Sequence, residues 1–180
     1  MDRKDYRLIW LDLEMTGLEP ERNVILEIGS VVTDSQLNVI EEGPVFAIAQ
    51  PDRILKTMDP WCIKQHGKSG LTERSRRSDI RLADAEAKTL AFLKKHCLPQ
   101  KSPLCGNSIG QDRRFLCKYM PKLNDFFHYR NIDVSTIKEL VRRWYPRSAK
   151  APEKKKTHYV LDDIRESIEE LKHYRRTIFK

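Results

Sequence analysis

The fold class this sequence predicts is α/β, a mixed β-sheet flanked by α-helices, and three observations predict it. The first fifty residues alternate apolar runs with turn signals and carry no helical stripe. The middle of the chain alternates short apolar pieces with helical patterns, and the last twenty residues hold apolar positions three and four apart. Strands first, then strands alternating with helices, build a sheet that is partly antiparallel and partly parallel. At 180 residues the chain is long enough for one domain with a real core, so residues 1–180 are expected to form a single domain.

The elements follow in order. Tyr6 to Leu11 (YRLIWL) is an apolar strand that ends in Asp12 and Glu14, ahead of a Thr16-Gly17 turn. Residues 24–34 (VILEIGSVVTD) are rich in β-branched side chains, and Ser35 to Asn38 looks like a hairpin connection to a third strand over 39–50. These three opening strands are expected to be antiparallel. Pro51 to Ser78 is punctuated by proline and glycine and reads as less regular; it carries Trp61 and His66. Leu82, Ala85, Leu90 and Leu93 fit a helical stripe from Leu82 to Cys97, which Pro99 and Pro103 end. Pro103 to Gly106 is a short strand, followed by a polar loop through Asp112 and a helix over RRFLCKYM that stops before Pro121. Tyr129 to Val134 reads as another strand, and a helix with Ser135 as its N-cap follows to about Trp144. The final helix runs from about Val160 to Phe179.

Composition narrows the partners. Lys and Arg number 34 against 26 acids, a formal charge of +8 that favours a polyanionic partner over a basic but uninvolved solvated surface. Residues 147–156 (RSAKAPEKKK) hold five bases and one acid and read as a mobile, positively charged loop. Cys62, Cys97, Cys105 and Cys117 form no C-x-x-C pair, which points to reduced thiols. The N-terminus does not resemble a signal peptide and no apolar stretch approaches a membrane span, so a cytoplasmic protein with no membrane partner is expected.

The acids raise the chemical question. Residues two apart on a strand share a face and lie about 6.6 to 7 Å apart along it, so Asp12 and Glu14 project together beyond a core that cannot solvate them. Such a pair calls for a Lys or Arg, a shared proton, or divalent cations with hard oxygen ligands. Asp112 stands where a strand gives way to a helix, a common place for functional groups in open α/β sheets. His158 precedes the adjacent acids Asp162 and Asp163. Together the acids and the histidine fit metal-assisted phosphodiester hydrolysis, with His158 taking a proton from the attacking water.

Three stretches, DLEMTG with Asp12 and Glu14, NSIGQDRRFL with Asp112, and HYVLDD with His158, resemble in order the three motifs of the DEDDh branch of the DEDD 3'-to-5' exonuclease superfamily. Taken with DVSTIKEL and DDIRESIEEL, they most resemble its oligoribonuclease family, over most of the chain. The resemblance implies an RNase H-like fold, a homodimer, and a site with two divalent ions, Mg2+ or Mn2+, that removes nucleotides from very short RNAs. It assigns Asp12, Glu14, Asp112 and Asp163 as metal ligands and His158 as general base. On an ideal helix Asp162 would share a face with His158 while Asp163 would sit about 140 degrees away, so the family spacing selects Asp163 only if His158 precedes the helix. Asp162 is the second choice. Val160 stands where the family motif usually has Ala, with a modest effect expected.

The same resemblance assigns substrate contacts. Leu18 would wedge between bases, with Trp61, His66 and Tyr129 in loops alongside. Ser108, Arg130, Ser135 and Thr136 would cap a 5' phosphate, Tyr129 and Arg130 reaching in from a partner subunit. Base stacking worth roughly 1 to 3 kcal/mol per base matters most when only two bases are present. Two other readings stand beside this one: a more general exonuclease of the same branch acting on longer RNA or DNA, and a non-catalytic basic protein that binds nucleic acid through charge.

Overall fold

The computed structural model describes residues 4–146, 149–151 and 159–179. Among them six strands form one sheet: β1 (Leu8–Met15), β2 (Ile25–Thr33), β3 (Val39–Glu42), β4 (Phe46–Ala47), β5 (Leu104–Gly106) and β6 (Asn131–Asp133). The order is β3-β2-β1-β5-β6, with β4 also paired to β2. Strands β1, β2, β3 and β4 are joined by antiparallel pairings and β1-β5-β6 by parallel ones. The mixed sheet and the antiparallel opening are as the sequence leads one to expect.

Among the described residues eight α-helices accompany it: α1 (Asp52–Leu55), α2 (Pro60–Lys68), α3 (Leu71–Arg77), α4 (Leu82–His96), α5 (Ile109–Tyr119), α6 (Pro121–Asn124), α7 (Val134–Trp144) and α8 (Val160–Thr177). Alternation along β1 divides the core. Ile9, Leu11 and Leu13 face one layer with Phe92 and Leu93 of α4 and Phe115 and Leu116 of α5. Trp10 faces the other, where Val160, Ile164, Ile168, Leu171 and Tyr174 of α8 cover it. The one-sided stripe on α8 is what makes it a sheet-covering helix, each buried aliphatic contributing about 1.5 to 3 kcal/mol.

Several elements depart from the sequence reading. The run 39–50 is two short strands, because Gly43 and Pro44 interrupt it and proline donates no ladder hydrogen bond. The stretch taken as irregular holds α1, α2 and α3; Trp61 and His66 therefore stand on helix α2 and not in loops. Asp59 caps α2 by accepting a hydrogen bond from the Cys62 N–H, with Pro60 in the first turn, a start signal that was present in the sequence. The cap of α7 is Asp133, which accepts from the Ser135 N–H at 2.9 Å, so Ser135 lies inside the first turn. Helix α5 begins at Ile109, earlier than read, which puts Asp112 within its first turn.

Strand β1 carries the acids at one end and abuts a hairpin at the other. Strand β1 continues through both acids to Met15, with a register shift between Glu14 and Met15. At its opposite end Leu8 pairs with Thr33, and the hairpin after β2 is closed by Asp34, which accepts from the Gln36 and Asn38 N–H groups at 2.8 and 2.9 Å.

Candidate active site

Because side chains alternate along a strand, Asp12 and Glu14 project to the same face as Trp10, the face covered by α8. Helix α8 starts at Val160 beside them, and its first turn brings Asp163 into reach. One oxygen from each of Asp12, Glu14 and Asp163 lies within 4.8 Å of the others. Asp162, one residue earlier, is turned away to Arg165 at 2.9 Å. The structure therefore gathers Asp163 with the two strand acids and leaves Asp162 on the surface. His158 lies outside the described residues, as does most of the basic segment 147–156; the start of α8 at Val160 meets the condition that His158 precede the helix.

Asp112 approaches β1 from the other side. Its Oδ1 accepts the Leu13 N–H at 3.0 Å. This bond exists because β5 ends at Gly106 after pairing only as far as Trp10, which leaves the next stretch of β1 to another acceptor. Gly106 permits the close approach, since a side chain there would begin 3.0 Å from the Leu11 carbonyl oxygen. Asp112 is 7 % exposed, and burial pushes its carboxyl up to about 7, partly offset by the Leu13 N–H.

Glu14 is the more perturbed. Burial raises its carboxyl to about 8, and the negative charges of Asp163, Glu27 and Asp112 push the same way, against Arg74. Glu27 is missing from the sequence reading. It pairs with Glu14 across the β1-β2 ladder, so both point to one face, and it is tied to Arg74 at 2.9 Å. The signal was the one acid among the apolar residues of β2 (Ile25–Thr33). On the far side of Glu14, His66 is buried, its Nε2–H donating to the Met15 carbonyl at 2.8 Å and its Nδ1 lying 3.8 Å from Glu14 Oε2.

These groups open onto a cavity of about 580 Å³ whose walls include Asp12, Glu14, Asp163, Leu18, Trp61 and His66. Leu18 and Trp61 are 64 % and 62 % exposed, large apolar surfaces held open beside an acidic floor. Three hard oxygen donors gathered at one spot, with Glu14 held protonated near neutral pH by burial and by neighbouring acids, fit a divalent cation, whose charge offsets both effects.

The remaining substrate candidates sit elsewhere. The Ser108 and Ser135 hydroxyl oxygens are 3.1 Å apart, and their two N–H groups share Asp133 Oδ1 as acceptor. Ser108 adopts a left-handed backbone at φ 53°. Thr136 is exposed beside them. Tyr129 is 73 % exposed in the loop before β6, with the Arg130 guanidinium 5.3 Å from its ring centre. Tyr129 lines a separate concavity of about 450 Å³ with Arg113 and His128, and the acidic cavity has neither Tyr129 nor Arg130 in its walls.

Comparison with known proteins gives the same family. An exonuclease family model matches residues 9–171. The oligoribonuclease of Marinobacter nauticus is 63% identical over 174 residues, covering 97% of each chain, and that of Colwellia psychrerythraea is 58% identical over 180 residues, covering 100% of this chain and 99% of the other. The crystal structure of E. coli exonuclease I in complex with a dA16 oligonucleotide shares the fold with a TM-score of 0.74 at 17% identity, over 96% of this chain and 41% of that one. The mixed sheet with its flanking helices is thus RNase H-like, and the chain belongs to the exonuclease family and, within it, to the oligoribonucleases.

Proposed function

We propose that residues 1–180 form one exonuclease domain that hydrolyses very short RNAs, two residues and slightly longer, from the 3' end to 5'-mononucleotides. The observation that carries this reading is the triad of Asp12, Glu14 and Asp163 on the floor of a cavity walled by Leu18 and Trp61. Family membership at 58–63% identity to oligoribonucleases supports the substrate class.

Asp12, Glu14 and Asp163, with Asp112 behind them, would hold divalent cations, Mg2+ or Mn2+ and two in number. Such cations supply charge stabilisation at the attacking and leaving oxygens of an in-line displacement. The protein's own residues do the rest. His158 takes the proton from the attacking water, its ordinary pKa near working pH suiting it to that role. Leu18 wedges between the bases and Trp61 stacks against them, and together they exclude water from the scissile bond. His66 donates its Nε2–H to the Met15 carbonyl and stands beside Glu14, its Nδ1 3.8 Å from Oε2, as part of the wall the substrate meets. Ser108, Ser135 and Thr136 bind the 5' phosphate, and Tyr129 and Arg130 complete that cap from the second subunit of a homodimer. Arg suits the cap because its planar fork grips phosphate oxygens in pairs. The exposure of Tyr129 and Arg130 and their position away from the acidic cavity support a contribution across subunits. A cytoplasmic location is proposed with this role; no described helix is long and apolar enough to cross a membrane.

The test is cleavage of 5'-labelled RNAs of two to seven residues with Mg2+ or Mn2+ and with EDTA, comparing the parent with Asp12→Ala. Metal-dependent loss of single 3' nucleotides is expected, fastest on the two-residue RNA and absent in the variant. Cleavage that strengthens with length would instead indicate a general exonuclease, and binding without cleavage in any metal would indicate a nucleic-acid-binding protein.

A further inference from the structure

A directed hydrogen-bond chain joins the two serines to the helix that carries Asp163. Its far end fixes its polarity. Ser167 is buried on α8 and its hydroxyl donates to the Asp163 carbonyl at 2.7 Å, so its oxygen is left to accept the Asn107 Nδ2–H, also at 2.7 Å. That sets the amide with Oδ1 toward Ser135, whose hydroxyl donates to it at 3.0 Å. The one hydrogen on Ser135 Oγ is then committed, so across the 3.1 Å contact Ser108 is the donor. Asn107 Nδ2 also lies 3.3 Å from Glu170 Oε2, a carboxylate 5 % exposed on the same helix.

We propose that Asn107 is a positioning residue that couples the serine hydroxyls at the 5' end of a bound oligonucleotide to the first turn of α8. The inference rests on the reading of Ser108 and Ser135 as 5'-phosphate ligands. A hydroxyl has one hydrogen, and in the ligand-free chain both are spent along the relay. A phosphate accepting from Ser135 takes away the donor of Asn107 Oδ1. The amide, held in a partly buried site, must then change its partners, and its other arm is the bond to Ser167 under the Asp163 carbonyl. Occupation of the 5' end thereby reaches the ligand-bearing turn without any contact between the two ends of the substrate. An enzyme built this way turns over fastest when both ends are engaged at once, which only a very short RNA can do.

The experiment measures kcat and KM on a two-residue RNA with and without its 5' phosphate, for the parent, Asn107→Ala and Ser167→Ala. Ser167→Ala removes the link while leaving the serine hydroxyls and their neighbours in place, and it carries the test if Asn107→Ala does not fold. The parent is expected to show the higher kcat on the phosphorylated RNA. Both variants are expected to lose that advantage through kcat, by about tenfold, with KM on the phosphorylated RNA held within about threefold. If the parent shows the advantage and Ser167→Ala keeps it, or loses it through KM alone, the coupling is wrong while the phosphate site stands. If the parent gives the same kcat and the same KM on both RNAs, the phosphate site fails and the coupling with it; the same kcat with a lower KM on the phosphorylated RNA leaves the site and overturns the coupling.

Discussion

Glu14 concentrates the electrostatics of the site in one residue. Its carboxyl, ordinarily near 4.5, is raised to about 8 by burial and by facing acids, and Asp112 is raised from 3.8 to about 7 by burial. Both folded-state values lie above the unfolded ones, so the folded chain holds protons that the unfolded chain has released. Without metal, the contribution of these groups is fully present below about pH 4, where folded and unfolded chains both hold the protons. It declines as pH rises toward 8, by at most about 1.4 kcal/mol per pH unit for each group. Melting in EDTA is therefore expected to give a Tm that falls between pH 5 and 8, and Glu14→Gln is expected to flatten that fall; a Tm rising over the range would refute the assignment. The same protons compete with a cation, so Mn2+ affinity measured by calorimetry is expected to climb with pH, up to about tenfold per unit below pH 7. At this scale the sequence was informative about Asp12, Glu14, Asp112 and the choice of Asp163, because the motifs keep their order and spacing. It said nothing of Glu27, since a lone acid within a β-branched run carries no sign of which face it takes.

At the scale of elements, the join between β2 and α8 decides where Asp163 stands. Gly29 lies on β2 opposite Asp12, and a Cβ built there would meet Val160 Cγ1 at 2.2 Å. The bulkier residue at the start of α8, unusual for the family motif, is accommodated by the absence of a side chain on the strand beneath it. Gly29→Ala is expected to destabilise the protein by about 1 to 3 kcal/mol through overpacking, and to lower kcat by shifting the ligand-bearing turn. Val160→Ala in the same chain is expected to restore most of both; denaturation and kinetics on the double variant provide the check. Val160→Ala alone removes two buried carbons, with a loss of about 2 kcal/mol and little change in rate. The long elements β1, β2, α4 and α8 were legible because their apolar periods are long and consistent. The short helices α1, α2 and α3 were not, since four to nine residues give too few turns for a stripe to declare itself, although Asp59-Pro60 did mark one start.

Across the whole molecule, alternation in one strand assigns the acids to the α8 face while its neighbours build the opposite core. Taken alone, the formal charge of +8 suits an enzyme that grips long polyanions. A site limited to the ends of a very short RNA meets only one or two phosphates. The dependence of log kcat/KM on log salt is expected to be shallow, about −0.7 per phosphate engaged. A slope several times steeper would favour a general nucleic-acid enzyme. Arg130→Ala is expected to narrow the rate difference between two-residue and seven-residue RNAs, and an unchanged difference would remove Arg130 from the cap. Light scattering is expected to give the mass of a dimer. The expectation of a dimer rests on resemblance alone, because an exposed Tyr129 reads the same in a monomer's loop as in a subunit's contribution to its neighbour.

The hairpin closed by Asp34 gives this chain a handle. It lies at the Leu8 end of β1, six residues from Glu14 and so roughly 20 Å along the strand from the acids. Ser35 is exposed there, and Cys117 is the one exposed thiol among the described cysteines. A dye attached through Ser35→Cys in a Cys117→Ser background would ride on the rigid β2-β3 ladder without entering the cavity. The enzyme could then be tethered to a surface or followed one molecule at a time, with the chemistry at the far end of the sheet left undisturbed.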